Sequence, residues 1–175
     1  MKIFIETERL LLRELEETDD QGIFELDSDP AVHLFLGNKP IQSIDEARTS
    51  IKLIRDQYIQ NGIGRWAVIE RKNNELVGWG GLKLIKVATN KHINYYDLGY
   101  RLMKKHWGKG FASEVAAACL EYGFKTMKLE KIYAIANENN IASRKVLEKS
   151  GLRYVEPFMY EGEPHLWFEG LNPLT

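Results

Sequence analysis

A chain of 175 residues, 44% of them hydrophobic and with a formal charge of -1, has enough apolar material for one domain with a proper core and lacks the basic field of a general nucleic-acid binder. Its one cysteine, Cys119, excludes an internal disulfide framework, fits a reducing compartment and reads as a small core residue. No stretch approaches the roughly 20 apolar residues of a membrane span, and the opening run Ile3-Phe4-Ile5 is cut off by Glu6, Glu8 and Arg9 before a signal-peptide core can form, so we expect a cytoplasmic protein, one domain over residues 1–175, with no membrane or nucleic-acid partner.

Along the chain, residues 10–13 read as a first strand. Thr18-Asp19-Asp20-Gln21 has the form of a capping box opening a short helix. Asp29-Pro30 has the form of an N-cap followed by proline at the first helical position. Ser43-Ile44-Asp45-Glu46 is a second capping box, after which Ala47, Ile51, Ile54 and Tyr58 form one apolar stripe at helical spacing, with Gly62 and Gly64 at the exit. A hairpin follows, with arms at 66–71 and 76–86 around Lys72-Asn73-Asn74, and then a long strand at 93–103. Residues 108–126 read as a helix with Val115, Ala118, Cys119 and Tyr122 on one face, 132–136 as a short strand, and 140–150 as a helix with Val146 and Leu147 inward and Gly151 at its C-cap. Two terminal strands fit 153–160 and 164–170. A helix between two strands predicts a crossover with locally parallel strands, so the sheet is mixed and the architecture a three-layer α/β or α+β one.

The chemistry-bearing run is Trp107-Gly108-Lys109-Gly110-Phe111-Ala112-Ser113-Glu114, between a strand and a helix. Glycines let the backbone bend sharply and let a ligand approach the main chain. The first N–H groups of a helix lack internal partners and combine with the helix dipole into an anion site. With Lys109 as a neighbouring cation, the physical reading is a phosphate or pyrophosphate clasped by backbone amides. An ordinary strand-to-helix turn is the alternative, since Gly-x-Gly-x-x-Gly and Gly-x-x-x-x-Gly-Lys-Ser/Thr are both absent.

The same run resembles the acetyl-CoA pyrophosphate loop of the GNAT acetyltransferases. It is most similar to the ribosomal-protein N-terminal (RimJ/RimL-like) branch, which writes it Trp-Gly-x-Gly-Tyr-Ala-Thr-Glu. Three further segments resemble that branch in order: Glu8-Arg9-Leu10-Leu11-Leu12-Arg13, Asp97-Leu98-Gly99-Tyr100, and Asn140-Ile141-Ala142-Ser143 with residues 146–152. The resemblance implies the acyl-CoA N-acyltransferase fold, a central mixed, mainly antiparallel twisted sheet flanked by helices on both faces. It implies an acetyl-CoA-dependent N-acetyltransferase that needs no metal. In the broader pattern Gln/Arg-x-x-Gly-x-Gly/Ala the first position is polar; here it is Trp107, with Gly110 and Ala112 at the small positions. Phosphate binding then falls mainly to the backbone of Trp107, Gly108, Lys109, Gly110, Phe111, Ala112 and Ser113. Tyr100 and Leu102 would lie along the pantetheine arm and Asn140 would bond it, though Asn140 also suits a helix N-cap.

Acetyl transfer must deprotonate an ammonium of pKa about 10 for a lysine-type amine or about 8 for an α-amine. It must also polarise a thioester carbonyl and stabilise a leaving thiolate. The resemblance assigns the base to Asp97, working through a water; the alternative is a strand-edge acid paired with Arg101 or Lys83. The position where many relatives carry a tyrosine acid is Leu147, so Ser143 is the candidate donor to the sulfur, against a role bonding its own helix terminus. Tyr133 and Tyr160 are spare donors. His33, His92, His106 and His165 show no metal-ligand spacing. Lys104-Lys105-His106 is either a phosphate-side basic run or a solvated turn. Acceptor choice is expected from residues 29–64 and 161–165, where Asp45, Glu161 and Glu163 are acids that could attract an amine. The acceptor expected from the branch is a protein N-terminal α-amine, with polyamine, amino sugar or amino acid as alternatives, and a non-catalytic CoA-binding module as a reading of another class. The resemblance leaves monomer and homodimer both open.

Overall fold

A computed structural model describes residues 2–175. Five strands follow one another as antiparallel neighbours: β1 (Ile3–Glu6), β2 (Leu10–Arg13), β3 (Trp66–Glu70), β4 (Glu75–Ile85) and β5 (Tyr95–Leu102), with α1 (Asp20–Asp27) and α2 (Ile44–Asn61) inserted between β2 and β3. A crossover through α3 (Phe111–Glu121) sets β6 (Lys131–Asn137) parallel to β5. Helix α4 (Ile141–Lys149) then leads into the antiparallel hairpin of β7 (Arg153–Tyr160) and β8 (Glu163–Leu171). The spatial order is β1-β2-β3-β4-β5-β6-β8-β7, and β5–β6 is the parallel pair. This is the mixed, mainly antiparallel sheet the sequence predicts.

Alternation along β3 shows why both faces of the sheet must be covered. Trp66 and Val68 join a core with Leu82, Leu98, Val115, Cys119 and Leu147, under α3 and α4. Ala67 and Ile69 join a second core with Ile23, Leu26, Ala47 and Ile51, under α1 and α2. A strand buried on both sides reads as a continuous apolar run, which is what residues 66–69 are. Cys119 is fully buried, and burial pushes its thiol up to about 12. Among the described residues no helix is long and apolar enough to cross a membrane.

The local signals worked where their residues could reach. Ser43 and Glu46 cap α2 reciprocally, and Gly62 closes it in the left-handed region at φ 72°. Gly151 (φ 97°) ends α4, with the amides of Leu152 and Gly151 bonding back to Leu147 and Glu148. Four expectations are corrected. The first capping box is formed by Glu16 and Asp19, not from Thr18, because a short 3-10 turn precedes α1. Asp29 does accept the Ala31 amide at 2.9 Å, but residues 30–37 form turns rather than a helix, ended by left-handed Gly37 and Asn38. Helix α3 starts at Phe111, since Gly108 (φ 76°) and Gly110 (φ 80°) are left-handed, and its last turn widens over Tyr122–Thr126. The N-terminal apolar run is a strand, fastened by Phe4, whose ring stacks 4.9 Å from that of Trp66.

Strands β5 and β6 share a single register pair, Asp97 with Tyr133. Beyond it they part, and Gly99, Tyr100, Arg101 and Leu102 line one wall of a cleft whose other wall includes Ile135, Ala136 and Asn137. The sheet is thereby opened from one face to the other.

Candidate active site

The cleft measures about 1280 Å³ and runs from the N-terminus of α3 through the gap between β5 and β6. At its first end the backbone from Gly108 to Ser113 is arranged as an anion cradle. Among the described residues none of these six amides donates to a protein acceptor; the first helical bond of α3 is Glu114 N–H to Gly110 O at 3.1 Å. Gly110 is the N-cap and has no side chain to satisfy them. Trp107 Nε1 donates to the Leu102 carbonyl at 2.9 Å, tying the loop to the end of β5 and occupying that carbonyl. Phe111 is buried and contributes its backbone only. Lys109, like Glu114, lies outside the cleft lining; its Nζ lies over the Phe111 ring.

The loop is pinned from behind. Glu114 accepts from Thr7 Oγ1 at 2.5 Å, from Arg9 Nε at 2.8 Å and from the Arg9 amide at 3.2 Å. Arg9 Nη1 in turn donates to the Lys109 carbonyl at 2.7 Å. Holding that carbonyl away from the cradle leaves N–H groups, not oxygens, facing an incoming phosphate. Because the pair is partly exposed it contributes about 1 kcal/mol. Arg9→Ala is therefore expected to weaken coenzyme A binding about fivefold without lowering turnover at saturation, as calorimetry and a saturation curve would read.

Midway along the cleft, Asn140 caps α4, its Oδ1 accepting the Ser143 amide at 3.2 Å. The Ser143 hydroxyl lies 3.1 Å from Tyr100 Oη, which also reaches the Ser143 carbonyl at 3.4 Å. Tyr100 thus brings its side chain, as well as its strand backbone, to the centre of the cleft. Burial pushes its phenol up to about 12, so it keeps its proton and acts as a donor.

On the opposite face of the sheet, Asp97 is buried and lines the cleft. Neither Arg101 nor Lys83 is its ion-pair partner. Arg65, the residue before β3, donates from Nη2 to Asp97 Oδ2 at 2.6 Å, and from Nη1 to the carbonyls of Asp97 and Gly81, each at 2.6 Å. A side chain on Gly99 would begin 2.6 Å from that guanidinium, so the glycine is what lets Arg65 lie across β5. Burial pushes the Asp97 carboxyl up from the ordinary range, with Arg65 and then Lys83 drawing it back. Oδ1 receives no hydrogen bond from the described residues, which leaves one oxygen for a water or an amine.

Residues 9–153 match the family model of the acetyltransferase (GNAT) domain. The chain belongs to the GNAT acetyltransferase family. It is 32% identical over 165 residues to the uncharacterized N-acetyltransferase YoaA of Bacillus subtilis, covering 92% of this chain and 91% of that one. The crystal structure of a GNAT-family acetyltransferase from Bacillus anthracis superposes with a TM-score of 0.80 at 30% identity, over 97% of this chain and 98% of that one. The fold alone is shared with RimL, a ribosomal L7/L12 alpha-N-protein acetyltransferase in complex with coenzyme A (18% identity, TM-score 0.81, 97% and 98% covered). It is likewise shared with a Vibrio cholerae spermidine N-acetyltransferase in complex with CoA and spermine (22% identity, TM-score 0.76, 95% and 97% covered).

This GNAT protein is an acetyl-CoA-dependent N-acetyltransferase. The fold gathers Asp97, Tyr100, Leu102, Trp107, Gly108, Gly110, Phe111, Ala112, Ser113, Asn140 and Ser143 on one cleft and leaves out Lys109. Asp45 also lies elsewhere: it sits exposed in the first turn of α2, paired with Arg48. Glu161 and Glu163 line the far mouth, Glu163 holding Asn137 Nδ2 at 2.9 Å. Of the basic run, Lys104 lines the cleft, Lys105 pairs with Glu25, and His106 is buried with its pKa pushed down by burial. Sequence reasoning missed Arg65 and the roles of Arg9 and Glu114. Arg65 carried one signal: a cation placed directly before the apolar run of residues 66–69.

Proposed function

We propose that the enzyme acetylates a primary amine by direct attack on the thioester, with Asp97 as the proton acceptor and Ser143 as the donor to the leaving sulfur. The carrying observation is one continuous cleft with unpartnered amides at one end, a hydroxyl pair in the middle and a buried carboxylate with a free oxygen beyond. The cradle fits a diphosphate, because consecutive amides without partners are costly unless an anion or water meets them. Acetyl-CoA supplies the acyl carbon and the thiolate leaving group. Asp97 Oδ1, directly or through a water, removes the proton that the amine carries at neutral pH. The Ser143 hydroxyl, oriented by Tyr100, gives a hydrogen bond that strengthens as charge builds on sulfur. A thiolate whose thiol has an ordinary pKa of about 8.5 does not draw a proton fully from such a hydroxyl, so Ser143 stabilises the thiolate, which takes up the second proton that the nitrogen sheds as the amide forms.

A hydrogen bond to a developing charge contributes about 1.5–3 kcal/mol. Ser143→Ala should therefore lower kcat ten- to a hundredfold, with KM for acetyl-CoA little changed, because the interaction matters only in the transition state. The reading as a whole is tested by thiol release from acetyl-CoA with peptide N-termini, polyamines, amino sugars and amino acids. A protein N-terminal α-amine is the acceptor the family branch points to, and small amines are the alternative. Release above background with some amine supports the reading; coenzyme A binding with no acceptor turned over favours a non-catalytic binding module instead. Acetyl-CoA at 100 times its Kd should raise stability by about 2.7 kcal/mol, while ATP and NADP should not.

A further inference from the structure

The face of the sheet toward α1 and α2 carries a strip of charged residues in which one cation is unmatched. Cross-strand register places Trp79 opposite Arg101, Gly81 opposite Gly99 and Lys83 opposite Asp97. Arg65 lies over the middle of this strip. Each carboxylate that faces it is already paired: Asp97 with Arg65 at 2.6 Å, and Asp27 of α1 with Arg101 at 2.7 Å. Lys83 lines the cleft half-buried and makes no ion pair or hydrogen bond among the described residues. Burial, then the nearby Arg65, pushes its ammonium below the ordinary lysine range, with Asp97 opposing them. A partly desolvated cation whose facing carboxylate, Asp97, is already held by Arg65 is an arrangement that a further anion would relieve.

Two further groups of residues that line the cleft lack partners among the described residues. Arg101 Nε and Gln57 Oε1 are buried and make no hydrogen bond. Opposed residues on an antiparallel pair have their Cβ atoms about 4.5–5.5 Å apart, so an amine presented to Asp97 puts a group a few bonds away beside Lys83. A second ammonium in that place would face Lys83, Arg65 and Arg101 with every carboxylate of the strip already neutralised. Glu161, an acid that lines the cleft without an ion-pair partner among the described residues, is exposed at the mouth.

We propose that the acceptor is a small amine carrying a carboxylate a few bonds from its nitrogen, as in an amino acid, and that Lys83 receives that carboxylate. The inference rests on the amine-acetylation reading above and narrows it to a substrate class.

The test is steady-state acetylation of matched acceptors. Alanine, leucine, phenylalanine and glutamate are each offered beside their carboxamide and their decarboxylated amine, with spermidine as the polyamine. For at least one set the acid should exceed its amide and its amine in kcat/KM by tenfold or more, mainly through KM. Lys83→Gln should abolish that preference by raising the acid's KM at least tenfold, with a retained coenzyme A Kd showing that the donor site is intact. Turnover in which amides, simple amines or spermidine do as well as the acids overturns the substrate class, as does a preference for acids that Lys83→Gln leaves unchanged. Coenzyme A binding without turnover of any acceptor overturns the underlying reading, and the inference with it.

Discussion

Gly110→Asp is expected to reduce coenzyme A affinity by about two orders of magnitude while leaving the protein folded. Two effects add. At φ 80° any side chain occupies the left-handed region, a cost of roughly 1 kcal/mol, reduced for aspartate because short polar residues tolerate it. The larger effect is charge. A carboxylate within about 4 Å of a phosphate is opposed by up to about 4 kcal/mol at a protein surface, and the exposure of Gly110 lowers this to about half. The sum, about 3 kcal/mol, corresponds to a hundredfold in Kd. The new side chain would also begin 3.3 Å from Arg9 Nη2 and draw the guanidinium away from Glu114, which holds its Nε, loosening the pin behind the loop. Gly110→Asn is the control, since it keeps shape and left-handed tolerance without the charge; its Kd should stay within about fivefold, the ~1 kcal/mol of strain alone. The Asp deficit should shrink as salt rises, whereas a purely steric lesion would be insensitive to it. Calorimetric affinity equal to wild type for the Asp variant would show that phosphate does not sit on these amides.

How much of this site could be read from the sequence depends on how far its parts lie apart along the chain. The loop was legible because two glycines, a small residue and a helix start are neighbours whose backbone consequences are local. Even there the helix began three residues late, since pattern alone does not show that Gly108 and Gly110 are both left-handed. The Ser43–Glu46 cap and the Gly151 terminus are equally local. The pin on the loop is not: Arg9 reaches Lys109 and Glu114 because β2 passes behind the start of α3, and no spacing rule carries that distance. Asp97 was visible as an acid on a strand, but its neighbours in sequence gave the wrong partners. The strand order brings Arg65 from the start of β3 across two strands, and the absent side chain of Gly99 leaves room for it. Tyr58 shows the same limit. It belongs to the apolar stripe of α2, yet its hydroxyl accepts the Leu15 amide at 3.0 Å and donates to the Arg65 carbonyl. A residue chosen by periodicity therefore also fixes the backbone that carries the buried guanidinium.

That guanidinium makes the second large prediction. Arg65→Met leaves Asp97 buried without its counter-charge, and breaking one side of such a pair costs about 3–5 kcal/mol. Tm should fall by roughly 10 °C for a domain of this size. The sign of the pH dependence follows from Asp97. Burial already raises its folded pKa, and loss of Arg65 raises it further above the unfolded value. A carboxyl shifted that way binds more protons folded than unfolded, so the variant keeps its stability below the unfolded pKa and loses it as pH rises toward the folded one. The deficit should therefore be smaller at pH 5 than at pH 8. Arg65→Met/Asp97→Asn should recover most of it, because the uncompensated charge is gone. Asp97→Asn alone strands the buried Arg65 charge, which its bonds to the Gly81 and Asp97 carbonyls only partly offset, so this variant too should lose stability and its turnover is compared at a temperature where it stays folded. Loss of a general base lowers kcat by about 10²–10⁴, and the deficit should narrow at high pH, where the amine deprotonates unaided. An Asp97→Asn enzyme with the wild-type pH–rate profile would remove Asp97 from the proton path and leave it as the anchor of Arg65 alone.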